Sequence, residues 1–123
     1  MSRCEYLGHC VNETLRIDPS VRISTPHDIS ESITLGGVRV IKGQSLFIYL
    51  AYLQVNPEQW VEPLEYIPER WDPKVDKYYL TPAGKRRHPM SFSPFLGGRR
   101  VCIGKTLAES TAKCVLAVMM SQL

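Results

Sequence analysis

The segment Phe95-Leu96-Gly97-Gly98-Arg99-Arg100-Val101-Cys102-Ile103-Gly104 holds the residues best suited to chemistry. A cysteine at the start of a helix is favoured as thiolate by the helix's positive N-terminal end, and a bound metal keeps the sulfur deprotonated. Such a thiolate is a ligand for haem iron. Around it each neighbour has a task. Gly98 and Gly104 let backbone approach a flat macrocycle and leave N–H groups to face the sulfur, where they tune its electron donation. Arg100, two residues before Cys102, offers a planar fork that fits a propionate. Phe95 shields the sulfur from water. A glycine-rich turn entering a helix with a buried cysteine would suffice to explain a lone G-x-R-x-C. The full spacing F-x-x-G-x-R-x-C-x-G argues for the ligand.

The elements that must position this loop follow from periodicity and from proline. Leu7, Cys10, Val11, Thr14 and Leu15 recur at helical spacing, so a helix is expected near residues 3 to 16. Ser2 and Glu5 fit a capping box at its start, and Pro19 ends it. Ser32 to Leu35, Gly36-Gly37 and Val38 to Ile41 form a hairpin signal. Ser45 to Leu50 reads as a short strand buried on both faces. All nine prolines lie between positions 19 and 94, and those from Asn56 to Pro94 forbid long regular elements. This stretch is expected to be a meandering coil laid over a surface. A final helix should begin close to Cys102 and run to the chain end, with Leu107, Ala108, Thr111, Cys114, Val115, Val118 and Met119 on one face. The fold class is thus mainly α with a small β-sheet. Helix, small sheet, coil and helix read together as residues 1–123 of one partial domain.

The cysteine loop resembles the cysteine-pocket signature of the cytochrome P-450 haem-thiolate monooxygenases. Two further motifs stand in that family's order. Glu13-Thr14-Leu15-Arg16 resembles the E-x-x-R of its K helix, and Pro68-Glu69-Arg70-Trp71 resembles its P-E-R-F segment, with Trp71 for the usual phenylalanine. Glu13 and Arg16 are three apart and can meet on one helix face. The resemblance implies that Arg70 completes a buried Glu13–Arg16–Arg70 cluster that pins the coil; an exposed ion pair would be worth only about 0.5 kcal/mol. It also implies haem b held through Cys102, with His27, after Pro26, contacting the second propionate. Residues Val21 to Thr25 resemble a stretch that lines the substrate pocket, with Val21 and Ile23 as contacts. Val40-Ile41-Lys42-Gly43 stands where the family commonly has I-P-K-G. His9 and His88 carry no such implication.

Composition sets the remaining bounds. With 44% apolar and 22% charged residues and a net charge of +3, the chain is an ordinary globular sequence in which nucleic-acid binding is not expected. The four cysteines have neither C-x-x-C nor zinc-finger spacing, so Cys4, Cys10 and Cys114 are expected as small buried apolar side chains. No signal peptide or membrane-spanning run is visible. Lys85, Arg86, Arg87, Arg99, Lys105 and Lys113 are expected to cluster around the cysteine loop, either as solvated surface or as the landing site of an acidic redox partner such as a reductase.

The resemblance implies a monooxygenase that inserts one oxygen atom of O2 into a small apolar substrate, acting on paired donors. Two alternatives accompany it: a haem-thiolate isomerase or dehydratase of peroxides, and an inactive gene fragment. The resemblance runs from the K helix to the L helix, so the chain is expected to be the C-terminal part of such an enzyme and inactive alone. Membrane attachment, at the endoplasmic reticulum in a eukaryotic relative, would come only from a part N-terminal to it.

Overall fold

The computed structural model describes residues 3–122. Helix α1 spans Arg3–Ile17. Its apolar stripe turns Val11 inward, and the Asp18 N–H closes the last turn on the Thr14 carbonyl at 2.8 Å before Pro19 stops it. Ser2, expected as its N-cap, lies outside the described residues, as does the Cys4 side chain.

Two small antiparallel pairs follow. Strand β1 (His27–Asp28) pairs with β4 (Ser45–Leu46), setting His27 opposite Leu46. Strand β2 (Ile33–Leu35) pairs with β3 (Val38–Val40), with Ile33 opposite Val40. Gly36 and Gly37 connect them at φ +52° and +82°, the two left-handed positions that a tight hairpin turn requires. The stretch from Ser45 to Leu50 departs from the expected doubly buried strand. Ser45–Leu46 pairs as a strand and Tyr49 forms a single bridge with Ile23, but Phe47, Ile48 and Tyr49 are exposed, with Leu50 alone buried. Strand-forming composition marked the backbone conformation there, not the burial of its faces.

Leu50 begins a one-turn helix, α2 (Leu50–Leu53). The proline-rich stretch then winds through a tight turn at Pro68–Trp71, a one-turn helix α3 (Asp76–Tyr79) and a second tight turn at Pro89–Ser91. Proline stands first in both tight turns, where its missing N–H costs nothing. His88, expected in plain coil, caps the second: its Nδ1 accepts from the Met90 N–H at 3.1 Å. Trp60 is 1% exposed and forms the centre of this region. Trp71 lies 5.6 Å from Trp60, and Phe92 4.5 Å from Trp71, all tilted.

A third tight turn at Gly98–Arg100 leads to helix α4 (Lys105–Ser121), which packs against α1. Lys113 lies along α1, its Cε within 3.7 Å of where a β-carbon on Gly8 would stand. No described residue of α4 is buried, and Leu107, Val115, Val118 and Met119 are all exposed. Cys114 is therefore exposed and Cys10 half-buried, against the expectation of burial. Periodicity identified the apolar face of α4; it carried no information on what covers that face. No helix among the described residues is long and apolar enough to cross a membrane.

Candidate functional site

Glu13 and Arg16 face the same side of α1, and the coil folds over them. Arg16 grips Glu13 with its whole fork: Nε donates to Oε2 at 3.0 Å and Nη2 to Oε1 at 2.8 Å. Arg70, from the Pro68–Trp71 turn, donates through Nε to Glu13 Oε1 at 3.0 Å. The Ile67 N–H reaches Oε1 at 3.0 Å, and the Trp71 indole N–H reaches Oε2 at 3.1 Å. Glu13, Arg16 and Arg70 are each 0% exposed. The remaining arginine protons go to carbonyls of the coil: Arg16 to Gln54, Pro63 and Glu65, Arg70 to Val61, Glu62 and Glu65. The geometry excludes an exposed i,i+3 pair.

Burial by itself pushes the Glu13 carboxyl up. The Arg16 and Ile67 hydrogen bonds and the charges of Arg16 and Arg70 outweigh it, so the group is held below the ordinary carboxylate range. Arg70 is lowered by burial and by the neighbouring Arg16 charge, partly offset by Glu13.

Four further residues complete this region, and sequence reasoning gave none of them its role here. Arg87 leaves the expected surface cluster and turns inward. Its guanidinium lies 4.3 Å from the Trp60 ring centroid, 5.6 Å from that of Tyr79 and 5.7 Å from that of Trp71. It donates to the Tyr78 carbonyl at 2.6 Å and the Arg70 carbonyl at 2.9 Å. Burial, with the Arg70 charge, lowers its pKa to about 10. Trp60 has a second cation near it, with the Arg16 guanidinium 5.1 Å from its centroid. Trp71 supplies a hydrogen bond that phenylalanine lacks. Gln54, the one polar side chain in the run from Leu50 to Val55, is 0% exposed. That polar interruption of an apolar run was the available signal.

The cysteine loop is held by its own backbone. The Cys102 N–H donates to the Phe95 carbonyl at 2.9 Å, closing the loop on itself, and Leu96 N–H donates to Ser93 O at 3.1 Å. Gly98 has φ +59°, a left-handed conformation that suits glycine. Met90 packs over Gly97: a β-carbon there would stand 2.8 Å from Met90 Sδ, so the methionine side chain would have to move. Gly104 caps α4, and the Ala108 N–H closes its first turn on the Gly104 carbonyl at 2.9 Å. The Cys102 sulfur lies 3.7 Å from the Gly104 β-position, so the thiol is at the head of the helix.

Cys102 and Phe95 both line a cavity of about 470 Å³ between the loop, α1 and α4. Val11, Leu15, Val21, Leu50, Ala108 and Ala112 contribute apolar side chains to its wall. Of the other expected site residues, Gly98 and Gly104 shape the loop, and Arg100 stands exposed beside it. His27 is half-buried on β1 outside the cavity wall, while Ser24 and Thr25 do line it. The His27 Nε2 is buried without a partner. Val21 lines the cavity as expected of a pocket residue; Ile23 does not and is exposed. Of the basic residues, Lys85, Arg86, Arg99 and Lys105 are exposed.

The cytochrome P450 family model matches residues 1–123, so the chain belongs to the cytochrome P450 family. It is 36% identical over 120 residues to cytochrome P450 82A2 of Glycine max, covering 95% of this chain and 22% of that protein. It is 37% identical over 122 residues to strychnine-10-hydroxylase of Strychnos nux-vomica, covering 95% of this chain and 21% of that one. The cytochrome P450DA haem domain superposes with a TM-score of 0.77 at 24% identity, over 92% of this chain and 23% of that structure. The chain spans about a fifth of the length of the curated relatives it matches.

The family's cofactor is haem carried on a cysteine thiolate, and the residues present fit it. An apolar wall with one thiol at its edge suits a flat apolar ring attached through sulfur, and the unpartnered His27 Nε2 is a polar atom able to meet a carboxylate.

Proposed function

We propose that this chain is the haem-ligating portion of a monooxygenase acting on small apolar substrates, with Cys102 as the iron's thiolate ligand. The observation that carries this reading is the placement of Cys102: at the head of α4, tied to Phe95, on the wall of an apolar cavity. When bound, the haem supplies the chemistry of oxygen activation.

The chain's residues supply the setting. Cys102 presents its sulfur at a helix start, where backbone dipoles favour the anion. Phe95 keeps water from one side of it. Arg100 and His27 are the candidate partners for the two propionates. Ala108 and Ala112 keep the α4 side of the cavity low, and Val21 offers an apolar contact for substrate. The exposed Lys85, Arg86, Arg99 and Lys105 are the candidate contacts for an acidic electron donor, and electron transfer should then weaken with added salt.

The test uses the full-length protein containing this chain, loaded with haem, reduced and exposed to carbon monoxide. The wild type should give a thiolate-type spectrum and Cys102→Ala should not. A thiolate-type spectrum that survives in Cys102→Ala removes the assignment.

A further inference from the structure

The Glu13 cluster and the cysteine loop are distant in sequence, and among the described residues no charged side chain is hydrogen-bonded to both. One side chain bonds to both sides. Gln54 follows α2 as its C-cap, and its own N–H donates to the Leu50 carbonyl at 3.2 Å. From there the side chain runs into the interior at 0% exposure. Its Nε2 donates to the Leu15 carbonyl at 3.1 Å and reaches the Arg16 carbonyl at 3.4 Å, both in the last turn of α1. Its Oε1 accepts the Ser93 N–H at 3.2 Å. Its backbone carbonyl accepts from Arg16 Nη1 at 3.0 Å.

Each of these bonds does something no neighbour does. The last carbonyls of a helix have no partner within it and must find one elsewhere. Gln54 supplies that partner in place of water. Ser93 is 2% exposed, so its N–H needs a protein acceptor. Ser93 is also the root of the cysteine loop: its carbonyl holds Leu96, and two residues on, the Phe95 carbonyl holds Cys102. Ser93 Oγ further donates to the Met90 carbonyl at 2.8 Å, fixing the turn whose Met90 sulfur packs on Gly97.

We propose that Gln54 is a positioning residue for the cysteine: it ties the C-terminal turn of α1 to the root of the loop, so that the fixed Glu13 cluster sets where Cys102 stands. Its consequence for the metal rests on the reading of Cys102 as the thiolate ligand, but the tie itself is a property of the polypeptide. A primary amide suits the place because it donates and accepts from one planar head. Methionine has similar length and no such head.

The experiment compares wild type, Gln54→Met and Val40→Ala in the full-length protein. Val40→Ala opens the buried position of the hairpin and serves as a destabilised control remote from the loop. Two quantities are read: amide hydrogen exchange in residues 92–102, and the thiolate-type fraction of the reduced carbon-monoxide complex. Gln54→Met should raise exchange in that segment by about tenfold or more. It should also lower the thiolate-type fraction at least about twofold, as expected when a support of a metal ligand is lost. Val40→Ala should move neither. If Gln54→Met does not fold, Gln54→Glu replaces it; it keeps an acceptor for Ser93 and lacks the amide donor for Leu15, so exchange should still rise. Unchanged exchange in whichever variant folds overturns the tie. So does an equal change in Val40→Ala, which would make the effect one of general stability. A wild type without a thiolate-type spectrum sinks the reading of Cys102 and leaves the exchange measurement to decide the tie.

Discussion

The region around Glu13 and the region around Cys102 solve opposite problems. Around Glu13, ionised groups at 0% exposure are enclosed, and the carboxylate accepts bonds from Arg16, Arg70, Ile67 and Trp71. Around Cys102 the reactive side chain is exposed and the loop closes on itself through backbone bonds, with the Gln54 side chain at its root. The first arrangement converts costly buried charge into a single allowed path for a proline-rich coil. The second leaves a thiol uncommitted at a helix head. Fixing the fold and presenting the ligand are therefore assigned to different residues, and single substitutions tell the two roles apart.

The largest effect should come from Glu13→Ala. It would leave Arg16 and Arg70 buried without their carboxylate, at a cost of about 3–5 kcal/mol in the unfolding free energy of the full-length protein. Haem incorporation should fall with it. Incorporation unchanged from wild type would break the contrast, since the cluster would then not govern the loop. Acid offers the same test without substitution. The folded-state Glu13 carboxyl is held below its ordinary value of 4.5, so its contribution is fully present above that pH and is lost as pH falls through the depressed folded value. In Glu13→Gln, stability should be lower at neutral pH, and this part of the acid dependence should vanish. Denaturant midpoints measured from pH 3 to pH 7 would show it.

Arg87→Ala should rank next, at about 2–3 kcal/mol. The change removes a desolvated cation–π contact with Trp60 and two hydrogen bonds from a charged donor, partly offset by relief of its burial. Arg86→Ala, one residue away and exposed, should stay within about 0.5 kcal/mol. Equal effects from the two would mean that the inward turn of Arg87 contributes nothing.

That pair also shows where sequence reasoning stopped. Helical spacing placed Glu13 and Arg16 on one face, but their burial with Arg70 was legible only through the resemblance to a known family. The helices, the glycine turn and the cysteine loop were legible for similar local reasons. Lys85, Arg86 and Arg87 form a uniform run, and which of them turns inward depends on the path of the coil past Trp60. No local pattern encodes that path. Gln54 belongs to the same class: its partners lie 39 residues away in either direction. The misplaced burial of Phe47, Ile48 and Cys114 has a related cause, since an apolar residue reports a preference and not the presence of a covering surface.

Trp71→Phe sharpens the comparison at the indole N–H. An aromatic ring stays beside Trp60 and Phe92, while the N–H to Glu13 Oε2 and part of the ring volume are lost. The expected cost is about 2 kcal/mol, from the bond to a charged acceptor together with the smaller ring. Losing a donor to the carboxylate should also raise Glu13's acid transition, so the denaturant midpoint of Trp71→Phe should begin to fall at a higher pH than that of wild type. No shift would mean that the Trp71 indole contributes packing alone.

The smallest effect on stability belongs to the residue with the largest effect on chemistry. Cys102→Ser changes one exposed sulfur to oxygen and leaves the bond from its N–H to Phe95 intact. Without haem, the unfolding free energy should change by no more than about 0.5 kcal/mol. With haem, the thiolate-type spectrum should be lost. Both measurements belong on the same preparation, because their disagreement is the point. A large loss of stability in the haem-free protein would show that Cys102 is part of the framework, and the division of labour between the two regions would fail.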